Sequence, residues 1–246
     1  MTRLIINLRS NEEVDEVPFN KHYLQSLIYS RINEEGNENF HVGNRFRFFS
    51  FSDFFPSGNA KKGDIKKVII SSPDQNMIGL LAKSFTENCE LYLGPHSFSV
   101  VSIKTMRFNF PSRNFISGSP IVLYTDNNKN RFFSLKDGDA ISFFMERIKD
   151  NAIKKYKQFT GKTPMFIDGP LFDIIKLKKE VSVKINHRGG DFFIIGSLWE
   201  KLGIYDGKKI DYNFYRFIME CGIGEKNSLG FGFLNPIMGV KENVAR

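Results

Sequence analysis

The stretch Lys67-Val-Ile-Ile-Ser-Ser72-Pro73-Asp-Gln75-Asn-Met77-Ile-Gly-Leu80-Leu81-Ala-Lys-Ser-Phe85 decides the fold, because its hydrophobic period changes in the middle. Lys67–Ser71 is rich in β-branched residues and reads as a strand. Ser72 then reads as a helix N-cap, with Pro73 as the first helical residue and Gln75 closing a capping box. Met77, Leu80, Leu81 and Phe85 fall on one face at helical spacing. Towards the N-terminus, Arg45–Ser52 is dense in phenylalanine and reads as a strand. Before it, Leu24, Leu27, Ile28 and Ile32 define a helix over Asn20–Ile32, with Gly36 as a stop signal. Thr2–Leu8 alternates through Leu4, Ile6 and Leu8 as a first strand, and Glu90–Leu93 and Ser97–Phe108 supply further strand. The resulting β-α-β-β-α-β order is that of a ferredoxin-like unit, an antiparallel sheet with two helices on one face.

The second half contains the same kinds of element in a less regular pattern. Ile121–Tyr124 and Arg131–Leu135 read as strands around an Asp-Asn-Asn turn, and a helix runs from about Asp139 to Phe159. Ile174–Ile185 and Phe192–Leu198 read as strands, Ile210–Cys221 as a last helix, and Phe233–Met238 as a strand able to close the sheet. A boundary near Arg113–Ser119 divides two packed halves, with one mixed α+β domain as the alternative.

The 246 residues are long enough to bury one large core or two small ones, and 26 phenylalanines argue against disorder. No apolar run approaches the roughly 18 residues of a membrane span, and Met1–Ser10 lacks the apolar block of a secretory signal. A soluble cytoplasmic protein is the expectation. Cys89 and Cys221 form neither a disulfide framework nor a zinc-ligand pattern, so no metal site and no cofactor are expected. The net charge of +8 points weakly to a polyanionic partner.

The remaining distinctive segment is Gly222-Ile-Gly224-Glu-Lys226-Asn227-Ser228-Leu-Gly230-Phe-Gly232. It lacks the Gly-Lys-Ser/Thr ending of a phosphate-binding P-loop, and its order after a helix is the reverse of a dinucleotide fingerprint. As chemistry alone it reads as a glycine cap followed by a tight hairpin. It resembles the glycine-rich signature of the RAMP superfamily, specifically of the CRISPR repeat-processing endoribonucleases. In that signature two glycines precede a stretch rich in Lys, Asn and Ser that ends in Gly-Phe-Gly. The resemblance extends to Asn20–Tyr29, which looks like the family's first helix, and to Phe49–Asp53, which looks like its aromatic strand ending in F-[ST]-[FY]-S. The middle of the chain matches by order of elements only.

This resemblance implies an α+β protein of two tandem ferredoxin-like (RRM-like, βαββαβ) domains. Residues 1–115 would carry the catalytic residues, and 116–246 would carry the RNA-binding glycine-rich loop, 222–232. It also implies a metal-independent endoribonuclease that cuts CRISPR repeat RNA (pre-crRNA) into guide crRNAs. A ribose 2′-oxygen attacks the adjacent phosphate and leaves 2′,3′-cyclic phosphate and 5′-hydroxyl ends. That chemistry needs a group to take a proton, one to give a proton, and positive charge on the phosphorane.

Histidine suits the proton transfers because it titrates near neutrality. Carried over residue by residue, the resemblance makes Tyr29, His41 and Arg47 the catalytic set. Arg47 stands where the family commonly has lysine, and its permanent charge suits phosphorane stabilisation rather than proton shuttling. The Tyr29 phenol suits orientation of the 2′-hydroxyl. Without the resemblance, His41 reads as a surface-loop histidine, Tyr29 as core, and Arg47 as the solvated face of a strand. His22 is the rival histidine. His96 and His187 lack partners nearby in sequence, though His187-Arg188-Gly189-Gly190 could touch phosphates.

The RNA-binding residues implied are Arg45 with Gly222, Gly224, Lys226, Asn227, Ser228, Gly230 and Gly232. Lys176, Lys178 and Lys184 would give a basic sheet face, and the run Lys154–Lys157 reads as the exposed side of a helix. The partner implied is CRISPR repeat RNA, with transient association with a CRISPR effector complex and no membrane. Monomer and homodimer are both open. The competing reading is a non-catalytic RAMP-family subunit holding guide RNA in an interference complex. A basic protein with no RNA role is a third.

Overall fold

In the computed structural model, which describes residues 2–14, 21–34, 47–107, 112–126, 128, 131–185 and 190–237, the alternating N-terminal stretch forms the middle strand of a sheet. That strand, β1 (Thr2–Ser10), pairs antiparallel with β3 (Ile65–Ser71) on one side and β5 (His96–Arg107) on the other. The short β2 (Ser50–Phe51) extends the sheet beyond β3, and β4 (Glu90–Leu93) extends it beyond β5. Leu4, Ile6 and Leu8 are buried with Leu24, Ile28 and Ile32 of α1 (Lys21–Glu34) and Met77, Ile78 and Leu81 of α2 (Gln75–Ser84). Each such side chain contributes about 1.5–3 kcal/mol on burial, which holds both helices to the sheet.

Helix α2 starts later than its sequence suggests. Asp74, not Ser72, is the N-cap, and its carboxylate accepts from the amides of Asn76 (2.9 Å) and Met77 (3.2 Å). Ser72 instead donates to the Phe48 carbonyl (2.6 Å) and accepts from the Asp74 amide (3.0 Å). The strand expected over Arg45–Ser52 is likewise reduced, within the described residues, to Ser50–Phe51. Phe48 leaves the sheet to meet Phe159 and Phe217 of the other half, with ring centroids 5.0 and 6.1 Å away.

The second sheet repeats the plan. Its elements are β6 (Asn114–Ser117), α3 (Ile141–Thr160), β7 (Ile174–Ile185), β8 (Phe192–Gly203), α4 (Tyr212–Cys221) and β9 (Leu234–Pro236). The strand order is β7-β8-β6-β9, all antiparallel. In both units the first and third strands are central, so the molecule is two tandem ferredoxin-like folds.

The opening strand of the second unit is not where the hydrophobic pattern put it. Ile121, Val122 and Tyr124 make only isolated bridges, to Ser197, Glu225 and Phe132. The role falls to β6, which spans positions 115 and 116 and sits between β8 and β9. Its Ser117 hydroxyl donates to the Trp199 carbonyl (3.1 Å). A side chain thereby continues the ladder where the strand ends.

The units meet through β1 and β3 on one side and α4 and β9 on the other. The buried Arg3 guanidinium donates to Asn235 Oδ1 (2.6 Å) and to the Leu234 carbonyl, and lies 4.4 Å from the Phe233 ring centroid. Ser71 donates to the Glu220 carbonyl (2.9 Å).

Helix α4 is capped by Asp211, whose carboxylate accepts from the amides of Asn213 (3.0 Å) and Phe214 (3.2 Å), and it ends at the fully buried Cys221. Burial pushes this thiol up from 9.0 to about 11, an effect the nearby Lys155 ammonium partly offsets. In the unfolded chain the thiol ionises first. The stability it contributes is therefore whole below pH 9 and lost as the pH rises through about 11. At 1.36 kcal/mol per unit the loss is about 2–3 kcal/mol. Denaturant midpoints measured across that alkaline window are expected to fall less steeply in Cys221→Ala than in the wild type. Parallel curves would contradict this assignment.

Candidate functional site

The glycine-rich segment is a wedge between the two folds. It leaves α4 at Gly222, passes through a short 3-10 turn at Asn227–Leu229, and enters β9. On the side of the second fold, the Glu225 amide donates to the Val122 carbonyl (2.8 Å) and the Gly232 amide to the Pro120 carbonyl (2.7 Å). The loop closes on itself where the Ile223 amide donates to the Gly232 carbonyl (3.0 Å).

Two of the glycines show why no side chain fits. At Gly232, with φ +69°, a Cβ would stand 1.9 Å from the Ile223 carbonyl oxygen. At Gly230, with φ +80°, it would stand 2.1 Å from the Phe51 ring. Both positions combine a left-handed backbone with direct contact.

Asn227 braces the loop from inside. Its buried amide donates to the carbonyls of Ile223 and Phe231, each at 2.9 Å. Its Oδ1 accepts from the Lys155 ammonium at 2.7 Å, which also donates to the carbonyls of Gly222 (2.7 Å) and Gly224 (3.0 Å). The run Lys154–Lys157 is thus not simply a solvated helix face: Lys155 is only 1% exposed. Burial pushes its pKa down, while Cys221 and Glu225 oppose that shift. Three acceptors for three ammonium donors make the buried charge tolerable.

Of the loop residues the sequence singles out, Lys226 and Ser228 are half-exposed, while Gly222, Gly224, Asn227, Gly230 and Gly232 are buried. The Lys226 ammonium lies 5.5 Å from the Tyr124 ring centroid. The first fold grips the loop through α1. Lys21, at the start of that helix, donates to the Gly230 carbonyl (2.8 Å), pairs with Asp53, and lies 4.9 Å from the Phe231 ring centroid. One turn on, Gln25 Nε2 donates to the Ser228 carbonyl (3.0 Å). Beside this junction a cavity of about 220 Å³ is lined by Lys21, Leu24, Phe51, Phe54, Val183 and Lys184.

Tyr29 lies one further turn along α1, half-buried, its ring edge-on to Phe49 at 5.7 Å. Arg47 is half-buried, two residues before Phe49 in sequence. His41, Arg45 and His187 lie outside the described residues. His22 is half-buried on α1, and His96 Nδ1 is 3.1 Å from Glu12 Oε1. Lys176, Lys178 and Lys184 are exposed on the edge strand β7, with Lys176 paired to Glu200 (3.0 Å) and Lys184 to Asp191 (2.7 Å). No helix among the described residues is long and apolar enough to cross a membrane.

Lys21, Gln25 and Lys155 form this site without belonging to any recognisable catalytic or binding motif. The first two carried a usable signal, since Lys21, Gln25 and Tyr29 recur at the four-residue spacing that lines one helix face.

The architecture of two tandem ferredoxin-like folds is shared with solved RAMP proteins. One, described as a RAMP protein binding different RNA substrates, superposes with a TM-score of 0.75 at 26% identity, over 97% of this chain and 100% of that one. A structure described as CRISPR associated protein Cas6 gives 0.71 at 24% identity, over 96% and 99%. Residues 104–236 match the family model for CRISPR associated protein Cas6, C-terminal. The CRISPR-associated endoribonuclease Cas6 2 of Methanocaldococcus jannaschii is 38% identical over 242 residues, which cover 96% of this chain and 99% of the relative. The chain belongs to the Cas6 family.

Proposed function

We propose that this chain is an endoribonuclease that cleaves CRISPR repeat RNA into guide units, by a route that needs no metal. The observation that carries the reading is its 38% identity to a CRISPR-associated endoribonuclease, over 96% of this chain and 99% of the relative. The geometry agrees with it at one point: Tyr29 packs edge-on against Phe49, on a helix that Lys21 and Gln25 tie to the glycine-rich loop. In this reading His41 takes the proton from the ribose 2′-hydroxyl, which attacks the adjacent phosphorus and breaks its bond to the 5′-oxygen, and that oxygen leaves as a hydroxyl by taking up a proton from the His41 imidazolium or from water. Arg47 compensates the phosphorane's charge, and the Tyr29 hydroxyl orients the nucleophile. The products carry 2′,3′-cyclic phosphate and 5′-hydroxyl ends.

Arg45, Lys226 and Ser228 contact the RNA backbone, while Gly222, Gly224, Asn227, Gly230 and Gly232 hold the loop in the shape that presents them. The enzyme works in the cytoplasm, as monomer or homodimer, and passes its product to a CRISPR effector complex. A transcript carrying several repeats is expected to be reduced to unit-length fragments. Tight binding with no cutting would favour the non-catalytic RAMP subunit instead.

A further inference from the structure

Three residues on one face of α1 link the glycine-rich loop to Tyr29. Lys21 reaches the Gly230 carbonyl and Asp53, Gln25 reaches the Ser228 carbonyl, and Tyr29 follows at the same four-residue spacing. Lys21 is 7% exposed, and its ammonium lies near both Phe231 (4.9 Å) and Phe51 (5.9 Å). It therefore anchors helix, loop and the end of β2 at one point. A helix is stiff over two turns, so a shift at Lys21 is transmitted to Tyr29. We propose that Lys21, seconded by Gln25, is a positioning residue for cleavage, setting where α1 places Tyr29 relative to the loop that holds RNA. This rests on the endoribonuclease reading above. Lys21 touches no reacting atom, so its loss slows the bound complex in addition to any weakening of binding that comes through the Gly230 contact.

The test measures single-turnover cleavage of a repeat RNA at saturating protein, beside Kd for the same RNA carrying one 2′-deoxy at the cut. Lys21→Met is expected to slow cleavage about 10- to 100-fold even at saturating protein, the scale of a misplaced catalytic group, whatever change in Kd accompanies it. Lys21→Arg keeps both donors and is expected to restore much of the rate. Gln25→Ala, which leaves Lys21 and its buried contacts in place, is expected to give a smaller slowing and guards against a Lys21→Met chain that fails to fold. Wild-type rates in Lys21→Met and Gln25→Ala would overturn the inference. So would weakened binding with a normal rate at saturation. A wild-type protein that does not cut would overturn the endoribonuclease reading and this inference with it.

Discussion

Gly232→Ala is expected to remove binding of repeat RNA and to lower the melting temperature by roughly 5–15 °C. The added Cβ would lie 1.9 Å from the Ile223 carbonyl oxygen and 2.7 Å from Asn227 Nδ2. Neither neighbour can give way: that carbonyl accepts from Asn227, which in turn holds Lys155. The left-handed φ adds about 1–2 kcal/mol for any residue with a Cβ, and forced overpacking about 1–3 kcal/mol. Gly207, with nothing within 4 Å of a built Cβ, provides the control, and Gly207→Ala is expected to stay within about 0.5 kcal/mol of the wild type. Wild-type affinity in Gly232→Ala would show that the loop's packing is not what presents RNA.

His41→Ala is expected to slow single-turnover cleavage by about 10²–10⁴-fold, the usual contribution of a positioned acid or base. Kd for the same RNA should be nearly unchanged, because the contacts proposed for binding lie at Arg45, Lys226 and Ser228. The separation of rate from affinity distinguishes a proton-transfer role from a binding one. Cutting that persists in His41→Ala would move the chemistry to His22 or to electrostatic stabilisation alone.

The first fold was readable because each element carried a complete signal: alternation at Leu4, Ile6 and Leu8, helical spacing from Leu24 to Ile32, and a β-branched run followed by an amphipathic helix. Errors arose where two local signals fitted equally. Ser72-Pro73 satisfies the rules for a helix start, yet Asp74 reaches the free amides better. Strand β6 was hidden for another reason. Four residues flanked by Ser112 and Gly118-Ser119-Pro120 read as linker, and only pairing with β8 and β9 makes them a strand.

Lys155 is a third kind of miss. Its neighbours Lys154 and Lys157 are exposed, which made the run look solvated, but Lys155 shares the buried stripe of Phe144, Ile148 and Asn151. Its depth becomes explicable only once the loop carbonyls that receive it are known. The glycine-rich motif was visible as a motif. The sequence alone could not show that its glycines meet Phe51 and the Ile223 carbonyl.

The most direct test of the central claim is cleavage of a CRISPR repeat RNA in excess EDTA, beside the same RNA with a single 2′-deoxy substitution at the cut. The account predicts one cut that survives EDTA, carries a 2′,3′-cyclic phosphate, and vanishes with the 2′-deoxy substrate. Cleavage that needs a divalent ion, or that proceeds through the 2′-deoxy position, would contradict it.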